Sequence, residues 1–239
     1  MAKIKRKSMS SPLSVTKAAL EDLLREKRLQ AAAPPLRGED RRLLPLPSGL
    51  PAIDRALGGG FPRGQLSEIH GPASSGRTGV ALGLLSGLTR GGGLAAWVDP
   101  SDRLDPESAR ISGADLSRVL WLRGRELGEA LAAVAALLGS GLFELVTLDL
   151  EGRRELRRLP GTSWIRLQRA VAETKGALVL LAPHHVACGP GGASLALRPA
   201  RPGFTGAPGP GRLLRALAGE ALAGRHALQR AAFELRAAH

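Results

Sequence analysis

The 239 residues carry 34 Lys and Arg against 21 Asp and Glu, a formal net charge of +13, and 28 of the 34 basic residues are Arg. Such a length has room for one α/β core with an extension, and so large a positive excess favours a polyanionic partner, most simply nucleic acid. The single cysteine, Cys188, excludes an internal disulfide, and no apolar run approaches a membrane span, since Leu131–Phe143 is diluted with Ala and Gly and ends at Glu144.

In chain order, the basic start Met1–Lys7 is followed by Ser and Pro with no apolar segment, so no signal peptide and a cytoplasmic protein are expected. Pro12, with Ser11 before it, can open a helix on which Leu13, Leu20, Leu23 and Leu24 form a narrow apolar stripe. Pro34-Pro35 within Ala31–Asp40 then breaks regular structure. Residues 1–40 are therefore expected to be a basic tail, a detached helix and a Pro-rich linker, and residues 41–239 a core with a basic C-terminal segment. The core would open with a short strand, Arg42–Leu46, and a short helix, Pro51–Leu57, ended by Gly58-Gly59-Gly60.

Gln65–His70 reads as a strand and the apolar run Val80 to Leu88 as a helix. Between them lies Gly71-Pro72-Ala73-Ser74-Ser75-Gly76-Arg77-Thr78, which fits the phosphate-loop pattern G-x-x-x-x-G-K-[ST] except that Arg77 replaces lysine. In such a loop the glycines let successive N–H groups point at a phosphate, at the positive end of the following helix. Thr78 would hold Mg²⁺, and the cation at position 77 would reach the outer phosphates of ATP or ADP. A general drift toward arginine would account equally for the net charge and for Arg77.

Beyond the loop the spacing predicts strands at Leu94–Asp99, Val119–Arg123, Phe143–Asp149 and Ala177–Ala182. Helices are predicted at Pro106–Ile111, Glu126–Leu138 and Ser163–Lys175. Strands alternating with helices imply an α/β fold, a mostly parallel sheet with helices on both faces. The strand carboxyl ends, where ligands bind in such sheets, are the phosphate loop, Asp99, Asp149 and Pro183-His184-His185. Residues 194–198 suggest a strand, and Leu213–Ala238 fits either helix or hairpin.

Arg153, Arg154, Arg157 and Arg158, with Arg166 and Arg169, could track a nucleic-acid backbone, or form a solvated face balanced by Glu151 and Glu155. His184, His185 and Cys188 lack a fourth ligand at a recognised spacing and read as loop residues, so no metal is expected. Asp102 and Glu107 read as parts of a solvent-facing turn, and Trp97, Trp121 and Trp164 as core.

Ser48–Gly64, Glu68-Ile69-His70-Gly71-Pro72, Trp97-Val98-Asp99 with Leu104-Asp105-Pro106, and Leu145-Val146-Thr147-Leu148-Asp149 together resemble the RecA family over roughly residues 40–200. The resemblance implies a RecA-like, P-loop fold, with Asp105 and Asp149 joining residues 71–78 at the nucleotide. It also marks departures. The family's water-activating glutamate falls at Ser101, with Asp102 shifted by one, and its adenine-stacking aromatic falls at Ser108. Its γ-phosphate-sensing glutamine is replaced within Pro183-His184-His185. The two DNA loops look shortened, and no C-terminal domain is expected after the core. A short RecA-like chain with this altered site resembles the ImuA (SulA-like) family, accessory proteins of SOS-induced mutagenesis. That resemblance implies ImuB and RecA as partners, an error-prone DnaE-type polymerase indirectly, and weak or absent ATP hydrolysis. Leu20, Leu23 and Leu24 with Leu43 and Leu44 would be the handle for a RecA-type neighbour. The rival expectation is an active DNA-dependent ATPase or recombinase, with Arg77 and Asp102 as substitutes.

Overall fold

The computed structural model describes residues 44–124, 126–187, 191–207, 209, 211–225 and 227–236, with only the backbone of Arg154 and Arg157. The expected N-terminal helix and Leu43 lie outside the described residues. The first half of the core runs α1 (Pro51–Ala56), β1 (Leu66–His70), α2 (Arg77–Arg90), β2 (Ala95–Asp99), α3 (Pro106–Ile111) and β3 (Val119–Arg123). It continues with α4 (Leu127–Ser140), β4 (Leu145–Asp149), α5 (Gly161–Ala172) and β5 (Ala177–Ala182). Four strands follow, β6 (Ser194–Leu197), β7 (Arg201–Thr205), β8 (Leu213–Gly224) and β9 (Gln229–Arg236).

Strands β1 to β6 pair in parallel, in the order β3-β2-β4-β5-β1-β6. β8 then runs antiparallel to β6, with β7 continuing the β6 edge and β9 on the other side. Each central strand sends alternate residues to opposite faces. Trp97, Leu145, Val179 and Leu181 meet Val80, Leu84 and Leu85 of α2 on one face. Ala96, Val98, Val146, Leu148, Leu178 and Leu180 meet Val134 and Leu138 of α4 and Leu167 of α5 on the other. Burial on both faces is why Ala177–Ala182 is apolar at every position. The fold is the expected α/β architecture, with helices on both faces of a mostly parallel sheet.

Local chemistry sets the element ends. Asp105 caps α3 by accepting from the backbone N–H of Glu107 and Ser108, and Pro106 takes the first helical position, where no N–H is needed. Gly141 closes α4 in the left-handed conformation, at φ 68°.

Some expectations need correction. Among the described residues of Arg42–Leu46 only Leu46 pairs, as an isolated bridge to Phe61, with N···O distances of 2.8 and 2.7 Å. Pro45 and Pro47 on either side have no N–H to extend the ladder. Helix α5 starts at Gly161, two residues before Ser163, because Pro160 supplies the extended entry. It ends at Ala172, where Thr174 turns its N–H and hydroxyl back onto the Val171 carbonyl. Of the two alternatives left open for the C-terminal stretch, helix or hairpin, the structure has the hairpin, with Ala231 and Phe233 of β9 buried between exposed neighbours. Trp97 is fully buried, whereas Trp121 and Trp164 are half-buried at the margins.

Candidate nucleotide-binding site

The phosphate loop leaves the end of β1 and enters α2 on the α2 face of the sheet. Gly76 takes φ 90° and caps α2, while Ser74 takes φ 60°, a conformation uncommon for a residue with a Cβ. Two left-handed residues within three positions curl the backbone into an anion-binding concavity. At Gly71 a Cβ would stand 2.5 Å from the Leu197 carbonyl oxygen, so only glycine fits. The loop thus has the backbone shape its glycines imply.

Its cation is held from within. Arg77 is 8% exposed, and its guanidinium donates to the Glu151 carboxylate. Glu151 is itself positioned by two contacts. Its N–H donates to Asp149 Oδ1 at 2.9 Å, and its carbonyl accepts the Ser101 hydroxyl at 2.7 Å. A cavity of about 280 Å³ opens beside this pair, lined by Ala73, Ser74, Arg77, Thr78, Arg103, Asp149, Glu151 and Leu181. A second, of about 430 Å³, lies between the loop, Ser108 and the β8–β9 hairpin, where Leu214, Leu217, Leu235 and Arg236 form the wall. Ser74, Arg77 and Thr78 line both.

Asp149 is 5% exposed, and burial, with repulsion from Asp99 and Glu151, pushes its carboxyl up from 3.8 to about 6, against the pull of the Glu151 N–H and Arg77. Asp99 is fully buried and organises the turn after β2, its Oδ2 accepting from the N–H of Arg103 at 2.7 Å and Leu104 at 2.8 Å. Asp102 points elsewhere. Both its oxygens accept from Arg123, at 2.7 and 2.8 Å, and that guanidinium lies 4.5 Å over the Trp121 ring. Hydrogen bonding to Arg123 holds the Asp102 carboxyl below its ordinary range.

The structure therefore brings Ser74, Arg77, Thr78 and Asp149 around one cavity, and these residues fit a magnesium nucleotide: loop amides for phosphates, Thr78 and Asp149 for the ion. Asp105 is exposed and caps α3, outside the lining of either cavity. Sequence reasoning missed Glu151 as the partner of Arg77, and missed Arg103 and the hairpin residues as walls. Arg158, Arg166 and Arg169 are exposed, and Arg153 donates to the Pro100 carbonyl. Leu44 is 62% exposed. Glu107 pairs with Arg110 on the surface of α3.

The RecA N-terminal domain matches residues 33–152, half of the chain. The chain belongs to the RecA family. The RecA protein of Lactobacillus delbrueckii subsp. bulgaricus is 37% identical over 161 residues, 64% of this chain and 49% of that protein. RecA of Corynebacterium aurimucosum is 38% identical over 153 residues, 59% of this chain and 41% of the relative. RecA of Corynebacterium urealyticum is 41% identical over 128 residues, 52% of this chain and 34% of the relative. The chain spans about half the length, or less, of these curated RecA relatives. Among the described residues no helix is long and apolar enough to cross a membrane.

Proposed function

We propose that this RecA-family chain is an accessory protein of SOS-induced mutagenesis that works by binding, with little or no ATP hydrolysis. ImuB and RecA are its partners, an error-prone DnaE-type polymerase is engaged through them, and single-stranded DNA is a further contact. The likeness to the ImuA family supports this assignment. The observation that carries it is the Arg77–Glu151 ion pair beside Ser101. The phosphate-reaching cation is neutralised internally, and a hydroxyl bonded to the Glu151 carbonyl stands where a water-activating carboxylate is expected. Loss of a general base alone costs on the order of 10²–10⁴ in rate, and the planar guanidinium of Arg77 does not replace a compact ammonium. ATP or ADP with Mg²⁺ would be held by residues 71–78 and Asp149, as a ligand rather than a fuel.

A second reading, a DNA-dependent ATPase, draws support from relatives named RecA. It requires Asp102 as the substitute base, and the pairing of both Asp102 oxygens with exposed Arg123 speaks against that role. The proposal predicts that the immobilised full chain retains purified RecA and ImuB equally with or without ATP, and equally as Asp149→Ala. No retention, or retention that needs ATP and an intact Asp149, would overturn it.

A further inference from the structure

On the sheet face opposite α2, two side chains of β1 and one from far along the chain converge at the base of the phosphate loop. Glu68 and His70 alternate on β1 and so share that face. His185 comes from the turn after β5, whose last residue, Ala182, pairs with His70. One ligand atom from each of Glu68, His70 and His185 lies within 4.8 Å of the other two. Glu68 is fully buried, and its two oxygens accept from the N–H of Val186 at 2.7 Å and Ala187 at 2.8 Å. Those bonds fix the carboxylate yet leave each oxygen a further lone pair. Backbone N–H groups bonded to a carboxylate in this way hold it in the orientation a metal ligand needs. His185 Nδ1 stands 3.4 Å from Glu68 Oε1, and the His70 and His185 rings are tilted by 58° at 5.4 Å, so they do not stack. His70 Nε2 is 3.5 Å from the Ser194 hydroxyl.

We propose that Glu68, His70 and His185 bind one divalent transition-metal ion, zinc first. Two imidazoles and one carboxylate are the three-ligand set that leaves a coordination position open on zinc, and they also suit cobalt, nickel or iron. Magnesium and calcium, which prefer all-oxygen sets, are disfavoured. Ligands around zinc sit about 2.0–2.2 Å from the ion, so the trio must close slightly. His185, whose side chain is 58% exposed, has the freedom to do so. The bound ion would pin residues 183–187 to the strand that ends at His70, directly before Gly71. The site is distinct from the cluster of His184, His185 and Cys188 considered from sequence, sharing only His185.

The test is calorimetric titration of the chelator-stripped full chain with Zn²⁺, repeated with Co²⁺, whose absorption reports coordination by nitrogen and oxygen. The expected result is one ion per chain, with affinity weakened at least about tenfold in His185→Ala and in Glu68→Gln, and unchanged in His184→Ala. His185→Ala alters an exposed side chain, so circular dichroism matching the parent keeps that arm interpretable. No uptake by the parent chain, or uptake undiminished in His185→Ala, would overturn the site.

Discussion

Removing the Glu151 carboxylate leaves the Arg77 guanidinium beside the phosphate loop without its internal counter-charge. Hydrogen bonds to charged groups are worth about 1.5–3 kcal/mol, so Glu151→Ala is predicted to bind a fluorescent ADP analogue about tenfold more tightly than the parent. Weaker binding in the variant would mean that Glu151 assists the nucleotide instead of competing with it. Asp149 yields a prediction against pH. Burial raises its folded carboxyl above the unfolded value, so its contribution to stability is complete below about pH 4 and lost as pH rises through about 6. A gap from 3.8 to about 6 corresponds to about 3 kcal/mol. Asp149→Asn keeps the oxygen that accepts the Glu151 N–H and carries no charge. In urea unfolding it should match the parent near pH 4 and exceed it by up to about 3 kcal/mol at pH 7. An equal difference at both pH values would refute the assignment.

At the scale of elements, the basic stretch from the 3-10 turn Arg154–Arg158 into α5 is the candidate DNA contact. Arg166 and Arg169, three residues apart on α5, are both exposed and share one side of the helix. If both meet phosphates, the salt dependence of binding to single-stranded DNA should flatten by about 1.4 in log–log slope in the double variant Arg166→Ala/Arg169→Ala. An unchanged slope would remove α5 from the interface. The elements legible in the sequence were those with a local signature. Val119–Arg123 and Ala177–Ala182 carry continuous apolar runs, Pro106–Ile111 carries its own cap, and residues 71–78 carry glycines at fixed spacing. The Arg77–Glu151 pair was not legible, because it joins positions 74 apart in sequence, and only the order of β1, β5 and β4 brings them together. The trio of Glu68, His70 and His185 was hidden for the same reason. The alternation along β1 was visible, but nothing local announced that the turn after β5 would fold over it. In β9 the alternating Ala231, Phe233 and Leu235 were masked by an Ala- and Leu-rich composition that suits a helix equally.

For the whole molecule, a RecA-like, mostly parallel sheet carries the phosphate loop at the end of β1, with the C-terminal hairpin beside it. The β8–β9 hairpin leans on the phosphate loop, to the point that a Cβ on Gly79 would stand 2.7 Å from Leu235 Cδ1. Leu214, Leu217 and Leu235 of that hairpin wall the larger cavity. Ser101 binds the Glu151 backbone, Asp102 binds Arg123, and Arg77 binds the Glu151 side chain. All three contacts agree with the proposed reading, in which the fold serves recognition and hydrolyses ATP little or not at all. Steady-state ATP hydrolysis by the purified full chain, with and without single-stranded DNA and beside Asp149→Ala, tests this most directly. The account predicts one background rate under all conditions, whereas DNA-stimulated turnover abolished by Asp149→Ala would contradict it.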